Sequence, residues 1–188
     1  MGCEMENMKI AIVVGSLRKE SINRQLANAI VKMAPSNIHF EFVEIGNLPL
    51  YNQDDDENQA VSVRKLKADI HQCDAVLFVT PEYNRSVPGV LKNALDHGSR
   101  PYGQNAWAKK PAAIIGISPS PVGTAIAQQH LRGILAALDM PTLCQPEMFL
   151  QIKDGFFDGA GNINEGSRKF IKSWIDRFIN WASINKGI

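Results

Sequence analysis

Short apolar runs alternate with helix-period segments along the whole chain, and this rhythm constrains the fold more than any other feature. The runs fall at Lys9–Val14, His39–Ile45, Ala75–Thr80, Ala112–Ser118 and around Thr142–Phe149. Between the first two, Ile22–Met33 places Leu26, Ala27, Ile30 and Val31 at helical spacing. Further helical segments span about Ala60–Gln72, Pro88–Gly98, Val122–Leu138 and Glu165–Ile184. The third is punctuated by Pro in its first turn and Gly at its end. Apolar runs with little polar alternation belong to strands covered on both faces, which means a parallel sheet. Five such strands with helical crossovers fit a doubly wound α/β sheet of order 2-1-3-4-5, with helices on both faces and a ligand crevice where the order reverses, between strands one and three.

At 188 residues the chain has the length of one domain and can bury roughly 70% of its unfolded surface. No linker or repeat divides it, so residues 9–188 are read as a single domain and residues 1–8 as a disordered extension. A net charge of +1 offers no field for nucleic acid or an anionic membrane, so neither is an expected partner. No stretch approaches the ~20 apolar residues that span a bilayer. The three cysteines, Cys3, Cys73 and Cys144, are too far apart in sequence for a C-x-x-C pair or a zinc cluster, which points to the cytoplasm. Cys73 and Cys144 sit among apolar residues and read as small core side chains.

Two loops at the sheet's switch point carry the chemistry. Gly15-Ser16-Leu17-Arg18-Lys19-Glu20-Ser21-Ile22-Asn23 joins the first strand to the first helix, where free backbone N–H groups and the positive end of a helix dipole converge. Ser16, Arg18, Ser21 and Asn23 add side-chain donors, and a charge-assisted hydrogen bond is worth ~1.5–3 kcal/mol. With one glycine the loop is neither the G-x-G-x-x-G of a dinucleotide site nor a G-K-[ST] triphosphate loop, and side chains wrapping a terminal monophosphate favour a mononucleotide. The competing reading makes Ser16 or Ser21 a helix cap and Arg18 a solvated charge. Pro81-Glu82-Tyr83-Asn84 follows the third strand and faces the same crevice.

Together G-S-L-R-K-E-S-I-N, P-E-Y-N-R-S-V-P-G-V-L-K-N-A-L-D and the run Ser118-Pro-Ser-Pro-Val-Gly123-Thr124 resemble the NADPH-dependent FMN reductase family, which includes bacterial quinone and chromate reductases and azoreductases. The resemblance extends from Lys9 onward and implies a flavodoxin-like fold, FMN as cofactor, and NADPH or NADH as electron donor. It implies small-molecule electron acceptors (a quinone, an azo compound or a metal oxyanion such as chromate) and a homodimer or homotetramer. Carried onto this chain, it assigns Ser16, Arg18, Ser21 and Asn23 to the FMN phosphate, and Pro81, Glu82, Tyr83 and Asn84 to the flavin ring. Ser118 and Gly123 would close the far side. The flavin carries the redox chemistry, so no catalytic acid–base pair is expected, and Glu82 reads as a positioning residue or as a carboxylate paired with a nearby cation.

Arg85 departs from the family, in which many members carry an aromatic residue after P-E-Y-N. A guanidinium there suits an anionic acceptor or the NADPH 2′-phosphate, or an intersubunit salt bridge. Arg100 and Lys92 are weaker candidates for the same cationic rim. The four histidines lack metal spacing, and His97 reads as a helix C-terminal cation. Asp54-Asp55-Asp56-Glu57 reads as a solvated face. Phe156 and Phe157, in a Gly- and Asp-rich turn, mark a subunit contact or local packing; Trp174, Phe178 and Trp181 mark core or dimer packing. The rival to the reductase is a flavodoxin-type electron carrier without NADPH activity. Carriers of that type are usually strongly acidic, with a phosphate loop rich in Ser and Thr.

Overall fold

The computed structural model describes residues 7–187. Its five strands, β1 (Met8–Val14), β2 (Ile38–Phe42), β3 (Ala75–Val79), β4 (Ala112–Ser118) and β5 (Phe149–Gln151), form one all-parallel sheet in the order β2-β1-β3-β4-β5. The helices are α1 (Ile22–Met33), α2 (Val61–His71), α3 (Gly89–Gly98), α4 (Ala125–Ala137) and α5 (Glu165–Asn185).

Strand periodicity divides the core in two. Ile10, Ile12, Val14, Leu77, Val79, Ile115 and Ile117 face α1 and α5, packing on Leu26, Ile30, Trp174 and Phe178. Ala11, Val13, Val76, Phe78 and Ile114 face the other way, onto Leu66, Ile70, Leu91, Leu95 and Leu131 of α2, α3 and α4. Each central strand is therefore buried on both sides, which is why its sequence does not alternate.

Several sequence boundaries shift. β1 begins at Met8, buried and paired with Ile38, so ordered chain starts before Lys9; most of the predicted extension, and Cys3, lie outside the described residues. β2 ends at Phe42, although Val43 N–H still reaches the Ile12 carbonyl and both Val43 and Ile45 enter the core. The loop after β2 contains a 3₁₀ helix over Gln53–Asn58, capped by Asn52. α4 starts three residues later than its hydrophobic pattern, because Gly123 is left-handed at φ 62° and Thr124 is still non-helical.

The largest difference is β5. The expected strand over Thr142–Phe149 touches β4 only at its two ends: Ala112 N–H donates to the Pro141 carbonyl and Leu143 N–H to the Ala112 carbonyl, an isolated bridge at Thr142, and regular pairing resumes at Gly116 with Phe149. Pro141 and Pro146 bracket the excursion, and a proline has no N–H for a ladder.

Two side-chain readings also change. Cys144 is exposed, whereas Cys73 is buried and its thiol is pushed up by burial. The acidic run is not wholly solvated, since Asp56 has a side chain only 9% exposed and pairs with Arg100 at 2.8 Å. Phe156 is buried in the first core cluster and meets Phe157 edge-on at 4.9 Å; Trp174 stacks on Phe178 at 6.1 Å. These aromatics are used inside the chain. His97 is buried, with Nε2 2.9 Å from the Pro49 carbonyl oxygen, and so ties the loop after β2 to α3.

Candidate functional site

The carboxyl ends of β1, β3 and β4 meet at one crevice. Gly15 N–H donates to the Val79 carbonyl (2.9 Å) and Thr80 N–H to that of Ile115 (3.0 Å), which brings the two predicted loops side by side. The junction requires glycine: a Cβ on Gly15 would lie 2.7 Å from Thr80 Oγ1, and one on Gly116 would lie 2.2 Å from both Thr124 Oγ1 and the Thr80 carbonyl oxygen. In sequence, Thr80 closes the third apolar run, Gly116 lies inside the fourth and Thr124 ends the run that begins at Ser118, and none of these places announces the close packing.

In the first loop, Ser21 is the α1 N-cap, its hydroxyl accepting the Arg24 N–H at 3.2 Å. Ser16 is buried, whereas Leu17, Arg18, Lys19 and Glu20 are exposed. Among the described residues, the backbone N–H groups of Leu17 to Glu20 donate to no other group, nor does the Ser16 hydroxyl have a partner. An anion suits such a loop: unpaired donors, a nearby guanidinium and a helix N-terminus together match a phosphate monoester. The FMN phosphate therefore fits the residues present.

Asn23 is committed elsewhere. Buried under the loop, it accepts the Ile117 N–H through Oδ1 at 3.1 Å and donates to the Ile117 carbonyl through Nδ2 at 2.9 Å. The β3 ladder runs to Thr80 N–H on Ile115 and then turns away at Pro81, so Asn23 supplies the missing rung. It holds α1 against β4 rather than pointing a free amide at the loop.

The second loop is a tight turn. Tyr83 and Ser86 exchange N–H···O bonds of 3.1 and 3.0 Å, and Asn84 and Arg85 between them sit at φ 50° and 62°. Such a turn favours Asn followed by Gly. Pro81 is buried, and Tyr83 is 49% exposed at the rim. Glu82 reaches across to α4: Oε2 accepts the N–H groups of Ile126 (2.9 Å) and Ala127 (3.1 Å). Its Oε1 holds Arg85 Nη1 at 3.1 Å. The reading of Glu82 as a carboxylate paired with a nearby cation is thus realised together with a structural one.

Ser118 Oγ accepts the Ser120 N–H at 3.0 Å and shapes the loop after β4. Gly123 is buried, and a Cβ there would lie 2.9 Å from Phe149 main chain, so glycine lets this turn pack on β5. Of the weaker candidates, Lys92 pairs with Asp96 (2.8 Å), and Arg100 lies at the opposite end of α3 from the turn, on Asp56. Neither is a free cation of the rim. The structure thus brings Ser16, Arg18, Ser21, Pro81, Glu82, Tyr83, Asn84, Arg85 and Ser118 to loops at the carboxyl end of the sheet.

Known proteins share this arrangement. The family model described as NADPH-dependent FMN reductase matches residues 8–153. The chain is 52% identical over 176 residues to a 2-hydroxy-1,4-benzoquinone reductase of a Burkholderia species, covering 93% of this chain and 96% of that protein. It is 47% identical over 180 residues to a quinone reductase of Pseudomonas putida, covering 95% and 97%. Among solved structures, FerB, a flavoenzyme NAD(P)H:(acceptor) oxidoreductase from Paracoccus denitrificans, superposes with a TM-score of 0.92 at 40% identity, covering 95% of this chain and 99% of that one.

Proposed function

Because the chain belongs to the NADPH-dependent FMN reductase family, and is thus an FMN-dependent NAD(P)H oxidoreductase, we propose that its acceptor is a quinone. The observation that carries this reading is the donor-rich first loop, facing the turn at Tyr83–Ser86 across the crevice and set in a chain about half identical to benzoquinone and quinone reductases. FMN, when bound, would supply the redox chemistry that links a nicotinamide donor to a quinone acceptor.

The chain's own residues bind and orient. The N–H groups of Leu17 to Glu20, with Ser16 and Arg18, hold the phosphate, and Ser21 fixes the start of α1 behind them. Pro81 to Asn84 border the ring, and exposed Tyr83 leaves one side of the mouth apolar enough for an aromatic acceptor. Azo compounds and chromate are secondary acceptors in this proposal, and either nicotinamide is a donor. A homodimer or homotetramer also remains part of it, supported now by exposed Phe170 and Ile184 on α5 rather than by Phe156 and Phe157.

The test is an anaerobic titration of the FMN-loaded protein with NADPH and, separately, NADH, followed by 1,4-benzoquinone. Bleaching of the flavin by either nicotinamide and its recovery on adding quinone is the expected result. Failure of both nicotinamides to bleach it would make the protein an electron carrier instead. Sedimentation of the loaded protein at micromolar concentration reads out the assembly.

A further inference from the structure

Glu82 does two things with one carboxylate. Its side chain is only 7% exposed. One oxygen receives two N–H groups of the first turn of α4, a helix whose own N-cap residue, Thr124, makes no side-chain capping bond. A helix N-terminus favours a negative charge, and the two N–H groups fix this carboxylate in place. The other oxygen faces Arg85, whose side chain is 62% exposed and springs from a left-handed turn. Ser86 Oγ lies 3.0 Å from His130 Nδ1 of α4, a second attachment of the same turn. An anchored anion therefore holds an exposed cation at the lip of the crevice.

We propose that Glu82 is a positioning residue that sets the acceptor's charge: by neutralising Arg85 it keeps the lip without net charge, so that neutral quinones are accepted and anionic ones gain nothing from the guanidinium. This rests on the quinone-acceptor reading above. A free guanidinium beside the crevice would attract any oxyanion or sulfonate; paired at 3.1 Å, its field is largely cancelled beyond the pair.

The experiment uses the FMN-loaded protein and two acceptors with one ring, 1,4-naphthoquinone and its 2-sulfonate. In a two-step exchange, kcat/KM for the acceptor does not contain the nicotinamide step, so any slowing of that step in a variant cancels. Glu82→Gln keeps a carbonyl oxygen for Ile126 and Ala127 but loses the charge, and should raise the ratio of sulfonate to neutral kcat/KM about threefold, the scale of an exposed ion pair. Arg85→Gly, which suits the left-handed backbone, should lower the ratio by a similar factor because the carboxylate is then uncovered. Both shifts should shrink in high salt. Amide exchange at Ile126 and Ala127 should stay slow in Glu82→Gln and quicken in Glu82→Ala.

A ratio unchanged in Glu82→Gln, or a rise that survives when Arg85→Gly is added, would overturn the proposal. If Glu82→Gln does not fold, Arg85→Gly decides alone, and an unchanged or raised ratio refutes it. Wild-type protein that turns over neither quinone refutes the quinone-acceptor reading itself, whereas turnover with a flat ratio across variants refutes only the role of Glu82.

Discussion

Replacing Asn23 by Ala tests the most consequential reassignment. The side chain makes two buried hydrogen bonds to one residue, Ile117, 94 positions away. Both Ile117 backbone groups point toward the space that β3 vacates at Pro81, while Gly116 N–H and the Ser118 carbonyl, on the other edge of β4, serve the β5 side. Truncation therefore leaves a buried donor and a buried acceptor without partners, each costing ~1–3 kcal/mol. A total of about 3 kcal/mol corresponds, for a chain of this length, to a fall in Tm of roughly 6–12 °C. Asn23→Asp is the control, since it can still accept the Ile117 N–H but opposes a carboxylate to the carbonyl; it should be destabilised as well. Calorimetry of the flavin-free variants measures this. Because Asn23 lies under the loop, its loss should weaken FMN and riboflavin by the same factor. A Tm within about 2 °C of wild type, or selective loss of FMN over riboflavin, would refute the argument and return Asn23 to the phosphate.

Arg18→Ala should behave in the opposite way, costing tenfold or more in FMN affinity, as measured by fluorescence titration, with riboflavin little affected, because a charge-assisted phosphate contact is worth ~1.5–3 kcal/mol. Gly116→Ala should be among the most destabilising single methyl additions, since the new Cβ would lie 2.2 Å from the Thr80 carbonyl, a main-chain atom that cannot swing aside; loss of several kcal/mol in urea unfolding is expected, with overpacking alone costing ~1–3 kcal/mol. Lys67 is buried, and burial lowers its pKa against the opposing pull of Asp56, while its ammonium bonds the Arg100 carbonyl that Gln59 also serves at 3.0 Å; Lys67→Met should leave Tm unchanged or raise it. Asp158 is held below its ordinary 3.8 by hydrogen bonds from Asn162 main chain and side chain and from Ala160. Its contribution to the 158–162 turn is thus present above pH 3.8 and disappears as pH falls through the lowered value; an NMR titration of its carboxyl should show a midpoint below 3.8.

The sheet order and the meeting of the two loops were legible because both depend on strand periodicity and on residues adjacent in sequence. Ser21 as a cap and Pro81 at a strand end are local facts of the same kind. What sequence left hidden was long-range geometry. Nothing around Asn23 announces that β3 will stop one rung short of β4, so an amide beside a phosphate loop reads as a ligand. Glu82 likewise cannot reveal a helix start 44 residues on. The misplaced fifth strand had a local signal in Pro141 and Pro146, which apolar neighbours outweighed. Arg85 stands out as a departure from the family's motif, but its restraint depends on a left-handed turn visible only in three dimensions.

The broken approach of Thr142–Phe149 to β4 also bears on solubility. β5 is the sheet's outer strand on that side and has only three residues, preceded by a detour through Pro146. A neighbouring molecule seeking a free row of N–H and C=O groups finds no straight template there, which is how natural sheets discourage edge-to-edge aggregation. Straightening the detour, by replacing both prolines with β-branched residues, would lengthen the pairing with β4 and expose a continuous edge to the next molecule. The irregularity protects the monomer's rim during folding, before any assembly covers it.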